Sequence, residues 1–322
     1  NITSMTTNVN VVPIFDFQKL SIFGTIEWTN KEVKSLAKDL CDKFAAKGFV
    51  FLKNHGLSTE EYAKVIQSNS KFFSLDANRK QKYKRPKDGF YGHIGMEMER
   101  FNQSRPSDLK ESMNVSPLHL HNWPDEDVPG YKATVLEFYN HCTALAFCIL
   151  KAIALGLELE NLDYFADCHR GIHDPTVEND SAMRILHYPP VDGIDVKPGQ
   201  IRCGEHSDYG SITLLFQDDV GGLEILDKDG VYKPVTPIPG TIVVNIGDLM
   251  QRWTSDRFVS ARHRVVIPES METQKKARMS VAMFMMPDSR HLVECLDGSA
   301  TYEPITTHQY LLQQFNKANS TY

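Results

Sequence analysis

His206 and Asp208 stand two residues apart in RCGEHSDYGSITLLFQDD (202–219), just ahead of a run that alternates apolar and polar residues. On a strand, side chains two apart share a face, so this imidazole and this carboxylate would point the same way. A solvated strand end looks the same, and a metal site needs a third donor. FVSARHRVVIP (258–268) supplies one, His263, inside another strand-like run. Two histidines and one aspartate that leave the other positions open form the facial set of non-haem Fe(II) oxygenases. Three N/O ligands and a water also suit a catalytic zinc ion, so the triad alone leaves the metal open.

A second pair points to a bound acid. In KKARMSVAMF (275–284), Arg278 and Ser280 share a strand face that Ala282 and Phe284 continue. A guanidinium beside a hydroxyl, at one end of an apolar wall, can clamp a carboxylate through charge-assisted bonds. A buried arginine without a partner is costly, so either a ligand acid or an internal salt bridge is required.

These residues need a β scaffold, and the sequence from Met183 onward has the texture of one. Strand-like runs MRILHYPP, IRCGEHSD, SITLLFQ, LEILD, VYKPV, TIVVNIGD, SARHRVVIP and RMSVAMFMMP follow at short intervals, punctuated by Gly, Pro and Asp-Gly. Such spacing predicts a sandwich or jelly-roll barrel. The preceding part reads as mostly helical. VVPIFDF (11–17) is a short strand, and WTNKEVKSLAKDLCDKFAAKG (28–48) is an amphipathic helix with Thr29 or Asn30 as N-cap and Gly48 as stop. FVFLKNHG (49–56) reads as strand and turn. Ser58 and Glu61 stand in capping-box spacing at the head of the next helix, and a third runs over about 131–157. ITTHQYLLQQFNKA (305–318) predicts a closing helix, with Tyr310, Leu311 and Phe315 as candidates for a lid or for plain core packing. We therefore expect one domain over 5–322: a mostly helical N-terminal flank (5–180), a β core with the metal site (181–290), and a terminal strand and helix (291–322). Asn1–Ser4, ahead of Met5, read as a leftover of cloning.

The 322 residues carry 41% hydrophobic and 24% charged side chains, the make-up of a soluble globular chain. A net charge of −6 and no basic run interleaved with aromatics argue against nucleic-acid binding. No apolar run is expected to cross a membrane, and the six scattered cysteines fit a reducing, cytoplasmic setting. Cys203 and Cys295 read as small core residues. HLH (119–121) and HRGIH (169–173) have ligand-like spacings but lie in polar sequence, and both read as surface.

Taken in order, HYPP (187–190), GEHSDYGSITLLFQDDVGGLEI (204–225), NIGDLMQRWTSDRFVSARHRV (245–265) and RMSVAMFM (278–285) closely resemble the isopenicillin N synthase-like group of Fe(II)/2-oxoglutarate dioxygenases. The likeness continues into VPIFDF (12–17), GFVFLKNHG (48–56) and FFSL (72–75), and so covers nearly the whole chain. It implies a mainly β fold with flanking helices around a double-stranded β-helix (jelly-roll, cupin-like) core. It also implies Fe(II) held by His206, Asp208 and His263, with 2-oxoglutarate and O₂ as co-substrates. The distal carboxylate of 2-oxoglutarate would pair with Arg278 and Ser280, helped by Tyr188. The chain departs from the plant pattern at Leu186, where an Asn often helps hold the co-substrate, so one hydrogen bond is missing or replaced. Such enzymes consume 2-oxoglutarate and O₂, release succinate and CO₂, and oxidise an unactivated C–H by hydroxylation, desaturation, dealkylation or ring closure.

Isopenicillin N synthase itself uses the same triad without 2-oxoglutarate, so an iron oxidase stays open, as does a non-catalytic ligand-binding sensor. A zinc hydrolase would need a general base, and Glu205 points to the opposite strand face from His206. For the substrate, Arg184, Leu186 and Tyr188 alternate onto one face, so Arg184 can hold a carboxylate inside the barrel or pair with an internal acid. Within 88–116, where relatives place substrate-facing strands, Tyr91, His93, Arg105 and Met113 are candidates. The expected partner is a small, anionic, amino-acid-derived molecule, handled by a monomer, with cyclisation of the kainoid-synthase type among the outcomes. Flavonoid, alkaloid or hormone oxidation also stays open.

Overall fold

The computed structural model describes residues 11–20, 24–87 and 89–319, with side chains to 316. Asn1–Ser4 and Asp88 lie outside the described residues. In chain order the elements are β1 (Ile14–Asp16), α1 (Lys31–Lys47), β2 (Phe49–Lys53), α2 (Thr59–Phe73), α3 (Ala77–Gln81), β3 (Gly92–Ile94), β4 (Glu111–Val115), α4 (Tyr131–Gly156) and α5 (Tyr164–Asp167). Then follow β5 (Ala182–Tyr188), β6 (Cys203–His206), β7 (Ile212–Gln217), β8 (Leu223–Leu226), β9 (Tyr232–Pro234), β10 (Thr241–Ile246) and α6 (Asp248–Trp253). The chain closes with β11 (His263–Val265), α7 (Met271–Gln274), β12 (Arg278–Met285), β13 (Leu292–Val293), β14 (Ile305–Thr306) and α8 (Thr307–Asn319).

Local signals explain the first helices. Asn30 accepts the Glu32 N–H at the start of α1, and Gly48 ends it at φ 69°, a left-handed conformation that glycine adopts without strain. Ser58 and Glu61 form the full capping box of α2.

A large sheet in the order β1-β2-β10-β7-β12-β5-β4-β3 faces a smaller one, β6-β11-β8-β9. This is the two-sheet jelly roll expected. Strand alternation sorts the large sheet's side chains cleanly. Met183, Ile185, Leu214, Phe216, Val244, Val281 and Met283 join the cluster packed under α1, α2 and α4. Leu186, Tyr188, Leu215, Val243, Ala282 and Phe284 face the barrel interior with Leu223, Ile225 and Val265 of the small sheet.

Two expectations need correction. The first 180 residues are not a helical flank alone, because they donate β1 and β2 to one edge of the large sheet and β3 and β4 to the other. And α4, at 26 residues, is long and apolar enough to cross a bilayer by length and composition. Here its apolar residues are spent elsewhere: Val135, Phe138, Leu145, Ile149 and Ile153 are buried beneath the sheet and against α1 and α2.

Candidate metal centre and carboxylate clamp

His206 is the last residue of β6 and lies directly opposite His263, the first residue of β11. Asp208 is not on the same strand, as alternation suggested, but in the turn leading to β7. That turn is held from outside: the backbone N–H of Asp248 donates to Asp208 O at 2.8 Å, and that of Gly247 to Ser211 O at 2.9 Å. The approach is close enough that a Cβ at Gly247 would sit 2.3 Å from Gly210 O, so only glycine fits there. The result brings one ligating atom from each of His206, Asp208 and His263 within 4.8 Å of one another. Asp208 Oδ1 lies 3.9 Å from His206 Nε2 and 3.7 Å from His263 Nε2.

The surrounding hydrogen bonds aim these atoms. His206 Nδ1 lies 2.8 Å from Gly204 O and His263 Nδ1 3.1 Å from Ala261 O. A ring nitrogen facing a carbonyl carries the proton, which leaves both Nε2 lone pairs free for a metal. Asp208 Oδ2 accepts from Thr213 Oγ1 at 2.6 Å and Asn245 Nδ2 at 2.7 Å, so Oδ1 is the oxygen turned to the histidines. Thr213 and Asn245 are register partners on β7 and β10, both inward. Burial works to raise the Asp208 pKa, but His263, His206 and these two donors outweigh it and hold the carboxylate ionised. Burial and the neighbouring His206 both lower the pKa of His263, which favours the neutral ligand form. Phe101 stacks on His206 with centroids 4.6 Å apart, and Phe49 meets His263 edge-on at 5.4 Å. The donor set, two imidazoles with Nε2 turned inward and one carboxylate oxygen, fits a divalent iron with positions left open.

Further along the same interior wall, Arg278 is 1% exposed and donates to Ser280 Oγ at 3.1 Å and Gln217 Oε1 at 3.2 Å. Its guanidinium carbon lies 4.9 Å from the Tyr188 ring centroid. Arg278 Nε and Gln217 Nε2 are buried without any acceptor. Orphaned donors beside a guanidinium fit an absent carboxylate, and they stand four residues along β7 from Thr213, about 13 Å of strand. Leu186 is inward at the Asn position of plant relatives and offers no polar atom, while Gln217 flanks Ser280 from the other side.

The candidate substrate residues divide. Arg184 does face the interior, opposite Asn114 on β4 and Ala282 on β12. Its Nε donates to Asn114 Oδ1 at 2.7 Å, and its Nη1 lies 3.5 Å from Glu99 Oε1. Met113 is on the other face: parity puts Glu111, Met113 and Val115 toward the helices and Ser112 and Asn114 inward. Tyr91 also packs on the helical side, stacked on His119. His93 bonds Glu111 at 2.9 Å in a buried network that His187 and Lys80 complete, remote from the triad face. Arg105 is consumed by Glu205, which it grips through Nε and Nη2. Glu205 also takes Arg264 and points away from the metal donors, as its strand parity required.

Residues not anticipated are Thr213, Asn245, Gln217, Phe101, Glu99, Asn114 and Lys110. Asn245 had a signal, a lone amide inside the apolar run TIVVNI. Lys110 is 1% exposed, bonded to Asp108 at 2.5 Å, 3.5 Å from Glu99 and 4.4 Å above the Phe101 ring. His119 and His121 are exposed as expected, but His169 is buried, with Nε2 2.9 Å from Ser211 Oγ, so HRGIH is half core. Cys203 and Cys295 are buried. In α8, Tyr310 and Leu311 are packed into the core and Tyr310 donates to Asp248 at 2.7 Å, while Phe315 is 44% exposed near Tyr209.

Residues 179–287 match the model of the 2OG-Fe(II) oxygenase superfamily, and residues 12–135 match that of the non-haem dioxygenase in morphine synthesis N-terminal region. The chain is 37% identical over 280 residues to the 2-oxoglutarate-Fe(II) type oxidoreductase ppzD of Metarhizium rileyi, covering 80% of this chain and 77% of that protein. It is 36% identical over 285 residues to the proline hydroxylase buaE of Petromyces alliaceus, covering 82% and 87%. The solved structure of full-length Neurospora crassa T7H in complex with alpha-KG and thymine superposes with a TM-score of 0.81, at 32% identity over 97% of each chain.

Proposed function

We propose a substrate class for a chain that belongs to the 2OG-Fe(II) oxygenase superfamily and is a non-haem Fe(II)/2-oxoglutarate-dependent dioxygenase acting on a small molecule: an amino-acid-derived zwitterion, hydroxylated at an unactivated C–H. His206, Asp208 and His263 would hold the iron, and Arg278, Ser280 and Tyr188 the distal end of 2-oxoglutarate. Bound there, iron with 2-oxoglutarate and O₂ supplies the oxidising power: one oxygen atom ends in succinate, CO₂ leaves, and the other oxygen enters the C–H bond as hydroxyl. The chain's own work is to orient and to exclude water. Asn245 and Thr213 fix the carboxylate, the two backbone carbonyls fix the ring protons, and Phe101 and Phe49 wall the histidines.

One observation carries the substrate class. Arg184 and Glu99 present a donor and an acceptor side by side, 3.5 Å apart, and Lys110 beside Glu99 lies over the Phe101 ring that stacks on His206. Glu99 Oε2 is buried, makes no close hydrogen bond, and has the Lys110 ammonium 3.5 Å away. A substrate carboxylate on Arg184 with its ammonium on Glu99 would use both groups at once. The relative buaE is named a proline hydroxylase, which supports an amino-acid-like substrate here. The same donor–acceptor pair would also read a planar heterocycle of the kind named in the T7H complex. Incubation with Fe(II), 2-oxoglutarate and a panel of free amino acids, followed by succinate assay and product mass, separates these. Amino-acid-dependent succinate with gain of one oxygen is expected, and Arg184→Met should raise KM for that substrate. Loss of two hydrogens would instead mark desaturation or ring closure, the kainoid-synthase-like outcome among them. Turnover of thymine with none of any amino acid would overturn the class.

A further inference from the structure

Arg202 was not among the residues singled out from sequence, yet it is one of the largest fully buried side chains. It uses one N–H: Nη2 donates to Lys276 O at 3.3 Å. Its Nε and Nη1 are buried with no acceptor. The bond to Lys276, two residues before Arg278, sets it at the Arg278 end of the barrel. There the Arg278 charge, after burial itself, pushes the Arg202 pKa down to about 10, while Tyr188 and Asp218 act against that. Two like charges thus share one buried pole. Among the described residues, the acceptors these guanidinia reach are Lys276 O, Ser280 Oγ and Gln217 Oε1, all neutral. The nearby acid, Asp218, has its oxygens bonded to the Met279 and Val220 backbone N–H groups.

The orphaned atoms at this pole are Arg202 Nε, Arg202 Nη1, Arg278 Nε and Gln217 Nε2, and every one is a donor. A purely structural arginine would be expected to spread its N–H groups over carbonyls, as buried donors otherwise go unsatisfied at a cost. A donor-only set around two guanidinia and one acid lacks one monoanion with several lone pairs. We infer that Arg202 is a second guanidinium of the co-substrate site and binds the distal carboxylate of 2-oxoglutarate jointly with Arg278. This rests on the reading of Arg278 as the carboxylate clamp. It makes the site selective for a dicarboxylate over a 2-oxo acid with an apolar tail.

The test is anaerobic calorimetric titration of the Fe(II)-loaded protein with 2-oxoglutarate and with 2-oxovalerate, which keeps the keto-acid end but ends in a methyl group. Arg202→Met should weaken 2-oxoglutarate binding about 10- to 100-fold and leave 2-oxovalerate binding nearly unchanged. Arg202→Lys, which keeps the charge, should recover part of the loss. Equal weakening of both ligands, or wild-type affinity for 2-oxoglutarate in a folded Arg202→Met protein, would overturn the inference. Should Arg202→Met not fold, the wild-type arginine Nε–H resonances decide. Both buried arginines are expected to shift on adding N-oxalylglycine, and movement of Arg278 alone refutes the role of Arg202. Failure of the wild-type protein to bind 2-oxoglutarate at all would instead sink the reading of Arg278 on which this rests.

Discussion

Replacing Asn245 by Leu tests whether the carboxylate of the triad is aimed by its neighbours. The substitution keeps the side-chain volume and removes one of the two donors on Asp208 Oδ2, the amide at 2.7 Å, leaving Thr213 at 2.6 Å. A hydrogen bond to a charged, buried acceptor is worth about 1.5–3 kcal/mol. The carboxylate torsion is broad and nearly two-fold, so with one restraint gone Oδ1 is no longer held toward both imidazoles, 3.7 and 3.9 Å away. Second-sphere losses of this kind cost about 10- to 100-fold in metal affinity, or about 1.4–2.8 kcal/mol. The assay is an anaerobic Fe(II) titration against a competing chelator, with the thermal midpoint of the metal-free protein measured in parallel. The expected result is weaker iron binding beyond what the loss of apo stability explains. A folded Asn245→Leu protein that binds Fe(II) within about twofold of wild type would show that the two donors do not set the ligand geometry.

The remaining predictions address the clamp, the backbone and pH. Anaerobic addition of 2-oxoglutarate to the Fe(II) protein should produce a visible charge-transfer band, and Arg278→Ala should weaken it at equal co-substrate; an unaltered band would remove Arg278 from the site. Gly247→Ala forces a Cβ to 2.3 Å from Gly210 O, so it should cost about 1–3 kcal/mol and loosen iron binding with it, read by denaturation and metal titration. His169 is held neutral because burial pushes its pKa down to about 4. The unfolded chain therefore takes up that proton first, and stability present above about pH 6.5 falls as pH drops toward 4, by about 3 kcal/mol in all. His169→Gln should flatten that fall between pH 7 and 5 in urea titrations, and parallel curves for the two proteins would refute it. Glu205→Gln should leave the KM for 2-oxoglutarate unchanged, since Glu205 faces Arg105 and Arg264 rather than the triad; a large change would mean that it reaches the site.

What could be read from sequence followed strand parity, and what could not was where parity carried no contrast. β5, β7, β10 and β12 alternate against an apolar helix layer, so Arg184 and Tyr188, and likewise Arg278 and Ser280, could each be set on one face from spacing alone. β4 hid because its pattern is mixed: Glu111 joins His93 and His187 on the outward face that Met113 and Val115 share, while Ser112 and Asn114 look inward into the barrel. Without that strand, Met113 could not be assigned a face, and it lies on the wrong one for substrate. Asp208 reaches the two histidines by a route that alternation did not give, since the turn that carries it is shaped by Gly247 and the first residues of α6, a short helix that no periodicity announced. Arg202 gave no signal because it lies one residue ahead of β6, outside the strand whose alternation was read.

Charge balance separates the two ends of the barrel and supports the zwitterionic substrate proposed above. At the Arg278 end, two buried arginines face one acid whose oxygens are already taken by backbone, so that pole is short of negative charge. At the Arg184 end, Arg184 and Lys110 are matched by Glu99 and Asp108 within 3.5 Å. Adding a net anion beside Glu99 would oppose its carboxylate in a poorly solvated site, where like charges in contact cost several kcal/mol by order of magnitude. A zwitterion or a neutral donor–acceptor edge adds no such term. On the proposed reading, one pole of the barrel takes an anion and the other takes a substrate without net negative charge. Glu99→Gln tests this directly: it leaves Arg184 unmatched, so small monocarboxylates should become competitive inhibitors of the variant. Equal inhibition of wild type and variant would show that Glu99 does not set the charge of the substrate.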